Sequence, residues 1–246
     1  MPFSSIGQST ASFDIKEIII TDTLLMKDIN DFVKNDTAFF QDEDYYVRRI
    51  CSGEWGGSIW FKNKKTGIEY SSSATCPVIV NKIGGKYYVT STLAHICGFS
   101  EVLKINHPDS MEIFQLPKPR YKKGKKYYRY VGDDESKSKK GTELLVDTIC
   151  ARILISFPFD NQLYHIVSDN KMTYLGKIEN KKLAKIDTII HDNLENFRIK
   201  SQGVIHNFRT EAFLTNDNHY VVLFINNRLL GYLDIFGNRI RFIRYK

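Results

Sequence analysis

The chain has no apolar stretch long enough to span a bilayer. Its longest uninterrupted apolar run, Val221 to Ile225, falls far short of the ~20 residues a membrane helix needs. No apolar h-region follows Met1, since the opening MPFSSIGQSTASF is small and polar. That opening suits a short native tail, or a chain beginning just after a removed signal, in which case the protein would be periplasmic or secreted. The compartment is therefore left open. No Gly-rich phosphate loop, HExxH or GxSxG occurs, which leaves nucleotide hydrolysis, zincin chemistry and α/β-hydrolase chemistry without support. Nothing amounts to a catalytic signature, and no cofactor is called for.

Cysteine is scarce as well. The four present, Cys51, Cys76, Cys97 and Cys150, have neither CxxC nor zinc-ribbon spacing. In an exported protein Cys51 could pair with Cys76 or with Cys97. A metal site with His95 and four small buried hydrophobes are the other readings, and no metal is expected.

What the chain does have is an ordinary globular composition. It runs to 246 residues, 42% hydrophobic and 26% charged, which excludes disorder throughout and allows one large all-β or α/β domain. The net charge of +7 is confined to one segment. Between Lys118 and Lys140 lie ten Lys or Arg and three acidic residues, so the remainder is neutral. The excess is expected in a solvated loop rather than on a face built by the whole fold, and nucleic acid is not the expected partner.

A repeat organises the rest. Aromatic or His pairs sit in β-forming runs at Tyr45–Tyr46, Tyr87–Tyr88, Tyr127–Tyr128, Tyr164–His165 and His219–Tyr220. Tyr45, Tyr87, Tyr127, Tyr164 and Tyr220 are separated by steps of 42, 40, 37 and 56 residues. Steps of about forty match one four-stranded propeller blade. Each anchor follows a short strand and a turn (CPVIVNKI then GG, ARILISFPF then DN, EAFLTN then DN), and two further strands come after it. The third unit lacks a convincing third strand, because GDDESKSKK stands in its place.

The expected fold is therefore all-β, a single five-bladed β-propeller over 14–246 behind a flexible tail at 1–13. The alternative is four blades with a basic insertion. IKEIIIT (15–21) has no place in the first blade, so it is the natural clasp for the C-terminal strand. Leu24, Leu25, Ile29, Phe32 and Val33 fall at helical spacing after Asp22 or Thr23, which predicts a short helix. GGSIWFKNKKTG and GKYYVTSTLAHICG resemble segments of uncharacterised bacterial propeller-like proteins, a resemblance that implies the fold and brings no activity with it.

In such a fold the loops between second and third strands, and those between blades, gather at one mouth. They would bring together Glu54, Trp55, His95, Asp169, Lys171, His206, Arg209 and Arg228 as ligand-binding residues. An aromatic plate beside mixed charges suits a protein or glycan. The expectation is a non-catalytic binding module, and a monomer. Two other readings stand beside it. One is a carbohydrate-active hydrolase, for which Glu54 and Asp169 could be drawn as the carboxylate pair. The other is an anionic-polymer binder acting through 118–140.

Overall fold

The computed structural model describes residues 12–34, 38–52, 56–94, 97–116, 118, 120–127, 135–194 and 209–246. Short apolar runs separated by tight turns make antiparallel hairpins, and the chain is all-β, with no helix as long as seven residues among those described. After an opening strand β1 (Asp14–Ile20), the first sheet holds β2 (Phe40–Gln41), β3 (Tyr45–Ser52), β4 (Gly56–Asn63) and β5 (Glu69–Ser73) in that spatial order. The second begins with β6 (Pro77–Ile83), β7 (Lys86–Leu93) and β8 (Phe99–Ile105).

The chain then leaves the second sheet. Strand β9 (Glu112–Ile113) adds to the first sheet beside β5, while β10 (Arg120–Lys122) and β11 (Lys125–Tyr127) form a separate hairpin. Strand β12 (Thr142–Ile149) returns as the fourth strand of the second sheet, against β8. The third sheet is β13 (Ala151–Phe159), β14 (Gln162–Asp169), β15 (Thr173–Glu179) and β16 (Lys182–Ile190). The fourth is β17 (Arg209–Leu214), β18 (Tyr220–Asn226), β19 (Arg228–Phe236) and β20 (Arg239–Tyr245). Gly84–Gly85, Asp160–Asn161 and Asn180–Lys181 all hold positive φ at both positions, as two-residue hairpin turns require.

Strand β1 completes the fourth sheet by pairing parallel with β20, Asp14 opposite Arg239 through Ile20 opposite Tyr245. Salt bridges cross the seam. Arg241 reaches Asp14, and Arg244 Nη1 lies 2.9 Å from Glu17 Oε1. Phe13, at the end of the expected tail, packs edge-on against Tyr164 at 4.9 Å and Phe159 at 5.3 Å.

Each sheet is apolar on more than one side, so the sheets stack in series. Tyr45, Val47, Ile59 and Phe61 of the first meet Val80, Tyr87, Val89, Leu103 and Ile105 of the second. Val102 and Val146 of the second meet Ile153, Val167 and Tyr174 of the third. The largest cluster joins the third to the fourth, with Phe157, Ile166 and Leu175 against Val222, Phe224, Leu233 and Phe242. Burying a side chain of this kind is worth about 2 kcal/mol. The far side of the fourth sheet, with Leu223, Tyr232 and Ile243, is covered by Met26, Ile29 and Phe32 from the segment after β1.

That covering segment is not the predicted helix. It consists of two single 3₁₀ turns, Thr23–Leu25 and Ile29–Asp31. Asp22 and Asp28 each cap the start of a turn, accepting from the backbone N–H two residues on at 2.9 and 3.0 Å. Met26, Ile29 and Phe32 recur every third residue, the 3₁₀ repeat, and they are the packed ones, whereas Leu24 and Leu25 stay 90% and 65% exposed.

The third repeat unit also needs correcting. The strand that follows GDDESKSKK, Thr142–Ile149, belongs to the second sheet rather than to a third unit, and Glu112–Ile113, which follows β8, pairs with the first. The tyrosine spacing runs through this unit, but lysines occupy its strands, leaving too little apolar surface for a sheet of its own. The segment is also only partly a solvated loop. Residues 121–126 are exposed, yet Ser136 is buried and its N–H donates to Ser58 Oγ at 2.7 Å, while Lys139 Nζ lies 3.3 Å from the buried Glu101 carboxylate.

Buried polar groups join the second sheet to the third. Thr90 Oγ1 donates to Ser156 Oγ at 2.7 Å, which leaves the Ser156 hydrogen for His165 Nδ1, also at 2.7 Å, and Asn81 Nδ2 donates to the Ser156 carbonyl at 2.9 Å. All four side chains are fully enclosed, and burial pushes the His165 pKa down to about 3 from 6.5. The folded protein thus refuses a proton that the unfolded chain accepts near 6.5, so stability is complete above that pH and falls as acid is added. The slope from this group is on the order of 1 kcal/mol per pH unit. His165→Gln should flatten the decline of the urea midpoint between neutrality and about pH 4; an unchanged slope would show that His165 does not govern acid stability.

Candidate functional site

Strands β6, β13 and β17, the first strands of the second, third and fourth sheets, each touch the other two. Charged residues collect at the end where these strands begin. Glu211, near the start of β17, takes Lys34 Nζ on Oε2 at 2.6 Å and Arg209 Nη2 near Oε1 at 3.2 Å. Lys34 is placed by a bridge to Thr215 and lies 4.9 Å over the Phe213 ring. Arg49, on β3, donates to the Pro77 carbonyl at the start of β6 and stacks 4.4 Å over Phe39.

Electrostatics tie these groups into one site. The hydrogen bond from Lys34, then the charges of Lys34, Arg209 and Arg49, hold the Glu211 carboxyl below its usual range against the opposing effect of burial. Glu211 is thus ionised at neutral pH, and its contacts weaken only in acid. Desolvation lowers the Arg49 pKa, with Glu211 opposing, although the residue keeps solvent access. Three cations surround one carboxylate there, beside two aromatic rings, so the site is net positive.

The strand register places the expected rim residues at this same end. Asp169 lies opposite Ala151 at the start of β13, Arg209 opposite Ile225, and Arg228 opposite Asn226. Lys171 comes next, in the β14–β15 turn. Of these, only Arg209 joins the cluster around Glu211. Asp169 is committed to its own turn, accepting from Lys171 N at 2.8 Å and Met172 N at 2.9 Å. Beyond that backbone contact of Lys171 with Asp169, no hydrogen bond or ion pair joins Asp169, Lys171, Arg209 and Arg228 to one another among the described residues. Glu54, Trp55, His95 and His206 lie outside them.

Arg49, Lys34 and Phe39 were not singled out from the sequence. A signal existed for Arg49. It shares a strand face with Tyr45 and Val47, both core residues, so it is a charge at an apolar position of the alternation.

All four cysteines are in disulfides, Cys51 with Cys76 and Cys97 with Cys150. This removes them as thiolate ligands and overturns the readings of a metal site and of free buried thiols. The two bridges are equivalent in the repeat. Each ties the region between a sheet's second and third strands to the residue that precedes the next sheet. Cys76 and Cys150 both hold positive φ, 50° and 62°. Gly57, paired with Cys51, has no room for a side chain, since a Cβ would stand 2.5 Å from the Ala74 carbonyl and 2.9 Å from Cys76 N.

Ser156 and His165 have a nucleophile-and-base geometry but no access for a substrate, both being fully buried. Among the described residues no group of three His, Cys, Asp or Glu could hold a metal ion. No family model matches the chain, and no curated protein or solved structure does either.

The bridges close loops of 25 and 53 residues in sequence separation. Replacing either pair by serine should lower unfolding free energy by roughly 3–4 kcal/mol, slightly more for Cys97–Cys150. Thiol titration of the denatured, unreduced protein should find no free thiol, and four would refute both bridges.

Proposed function

We propose that the four large sheets are blades of a β-propeller and that the protein is a non-catalytic binding module. Its ligand is an acidic group on a protein or glycan, held where the first strands begin. The blade reading is supported by the mutual contact of β6, β13 and β17, by the face-to-face succession of sheets, and by the clasp of β1 on β20. Four blades with an insertion fit better than five, because Thr142–Ile149 joins the second sheet.

The observation that carries the binding reading is the cluster of Arg49, Arg209 and Lys34 around the single carboxylate of Glu211. A ligand carboxylate, sulfate or phosphate binding there would meet surplus positive charge, together with the Phe39 and Phe213 rings for its apolar portion. Two disulfides suit an oxidising compartment, so we place the protein outside the cytoplasm.

Arrays of acidic and neutral glycans and peptides test this directly. Binding should concentrate on acidic members and weaken by about thirtyfold in Arg49→Ala with Arg209→Ala, the loss of a partly buried charge contact. Lys171→Ser should bind as the wild type does. Equal retention of neutral and acidic members, or indifference to the arginine pair, would contradict the proposal.

A further inference from the structure

The hairpin of β10 and β11 is the one two-stranded sheet among the described residues, and it pairs with no third strand. All residues from 121 to 126 are exposed. A two-stranded hairpin alone is marginal in water, and this one sets Lys122 directly opposite Lys125, like charge facing like. Lys123 and Gly124 make its turn, with φ of 51° and 73°. Two other exposed lysine turns are braced by their sheets. Lys64 and Lys65 follow β4 in a sheet of five strands, where Lys65 N donates to Asn63 Oδ1 at 2.9 Å. Lys181 and Lys182 join β15 to β16 in a sheet of four. An endopeptidase acts on backbone that opens locally, and exposed hairpin tips open most readily.

The chain on either side of the hairpin is fixed independently of it. Before it, Phe114 N donates to the Glu69 carbonyl at 2.8 Å, and the Phe114 ring packs edge-on against Trp60 at 5.5 Å. After it, Ser73 N donates to the Ser138 carbonyl at 2.8 Å, beside the Ser136–Ser58 contact. The two parts of the chain also share sheets. Strand β12, from the later part, pairs along β8 from the earlier, and β1 from the earlier pairs along β20 from the later. One covalent link straddles the hairpin as well, since Cys97 precedes it, Cys150 follows it, and the two are bridged. A break at the tip therefore severs neither the sheets nor the connection between the parts.

We propose that the β10–β11 hairpin is a processing site, cut after lysine by an endopeptidase of the trypsin class, and that the product is a folded two-chain protein joined by Cys97–Cys150. Such enzymes hold the lysine side chain in a pocket that carries a carboxylate, and Lys122, Lys123 and Lys125 all stand at the exposed tip. The hydrolysis consumes one water. The peptide C–N bond breaks, the lysine carbonyl carbon gains the hydroxyl to become a carboxylic acid, and the following nitrogen gains the hydrogen to become an amine. The charged cluster around Glu211 then draws Lys34 and Arg49 from one piece and Arg209 and Glu211 from the other. The processing does not depend on what that cluster binds.

Brief digestion of the full chain with trypsin, with the cut bonds mapped by mass spectrometry, provides the test. The bonds after Lys122, Lys123, Lys125 and Lys126 should be cut about a hundredfold faster, or more, than those after Lys64, Lys65, Lys181 and Lys182. Urea below the unfolding transition should leave the hairpin rate nearly unchanged, because the opening is local. On denaturing gels the cut protein should run as one species without reductant and as two with it. It should also melt within a few degrees of the uncut chain. Cutting at the braced turns as fast as at the hairpin, or a hairpin rate that climbs with urea as global unfolding does, would overturn the proposal. So would separation of the two pieces without reductant, or loss of the cooperative melt after the cut.

Discussion

The parallel pairing of Asp14–Ile20 with Arg239–Tyr245 joins the two ends of the chain, and the arrangement of the other elements hangs on it. Without it, β20 would be an exposed edge carrying Ile240, Phe242 and Ile243, an invitation to pair with another chain. The seam also aims the segment after β1. Met26, Ile29 and Phe32 come down on the fourth sheet, and Lys34 arrives at Thr215 with its ammonium on Glu211. A packing device at the chain ends thus delivers one cation of the candidate site. Loop-closure entropy grows only slowly with length, so joining such distant segments costs little more than a shorter closure would.

Successive sheets need a tie where one hands over to the next, and the chain uses two chemistries for it. At the first two hand-overs the tie is a disulfide. In the second sheet hydroxyls add to it, as Thr92 donates to the Ile153 carbonyl and Ser100 Oγ accepts from Ile153 N at 2.7 Å. In the third sheet hydroxyls act alone. Ser168 donates to Asn193 Oδ1 and accepts from Leu194 N, and Thr173 donates to the Asp192 carbonyl at 3.1 Å. Thr92 and Ser100 are cross-strand partners, as are Ser168 and Thr173, so the same two sheet positions carry the tie each time. These ties lie at the end of β3 that carries Arg49 and at the end of the sheets where β17 starts with Arg209 and Glu211.

Much of this was legible in the sequence because it is local. Tyrosine anchors and turn pairs such as Gly84–Gly85 mark hairpins through backbone conformation, which residue type controls directly, and the four anchors at Tyr45, Tyr87, Tyr164 and Tyr220 all fall in second strands. What was not legible depends on partners far away in the chain. Thr142–Ile149 reads the same whether it closes a third unit or a second; only the partners β8 offers, Leu103 opposite Leu144 and Val102 opposite Val146, decide. The segment after β1 has apolar residues that fit either a 3.6-residue or a 3-residue repeat, and packing on the fourth sheet takes Met26, Ile29 and Phe32 at the tighter spacing. Cys51 had two plausible partners until the hand-over geometry separated them. The rim residues Asp169, Arg209 and Arg228 were placed at the right strand ends by counting strands, but only Arg209 meets the charge cluster, since its centre is Glu211.

Hydrogen exchange at the clasp would show whether the joined chain ends hold the sheets together. If the pairing of Asp14–Ile20 with Arg239–Tyr245 does so, the hydrogen-bonded amides of these strands should exchange only on global unfolding. They should share the slow class of Ile59, Leu103 and Ile166 in the three preceding sheets. Rapid exchange of Asp14–Ile20 while those core amides stay protected would contradict that role, because the clasp would then be an edge that opens without consequence.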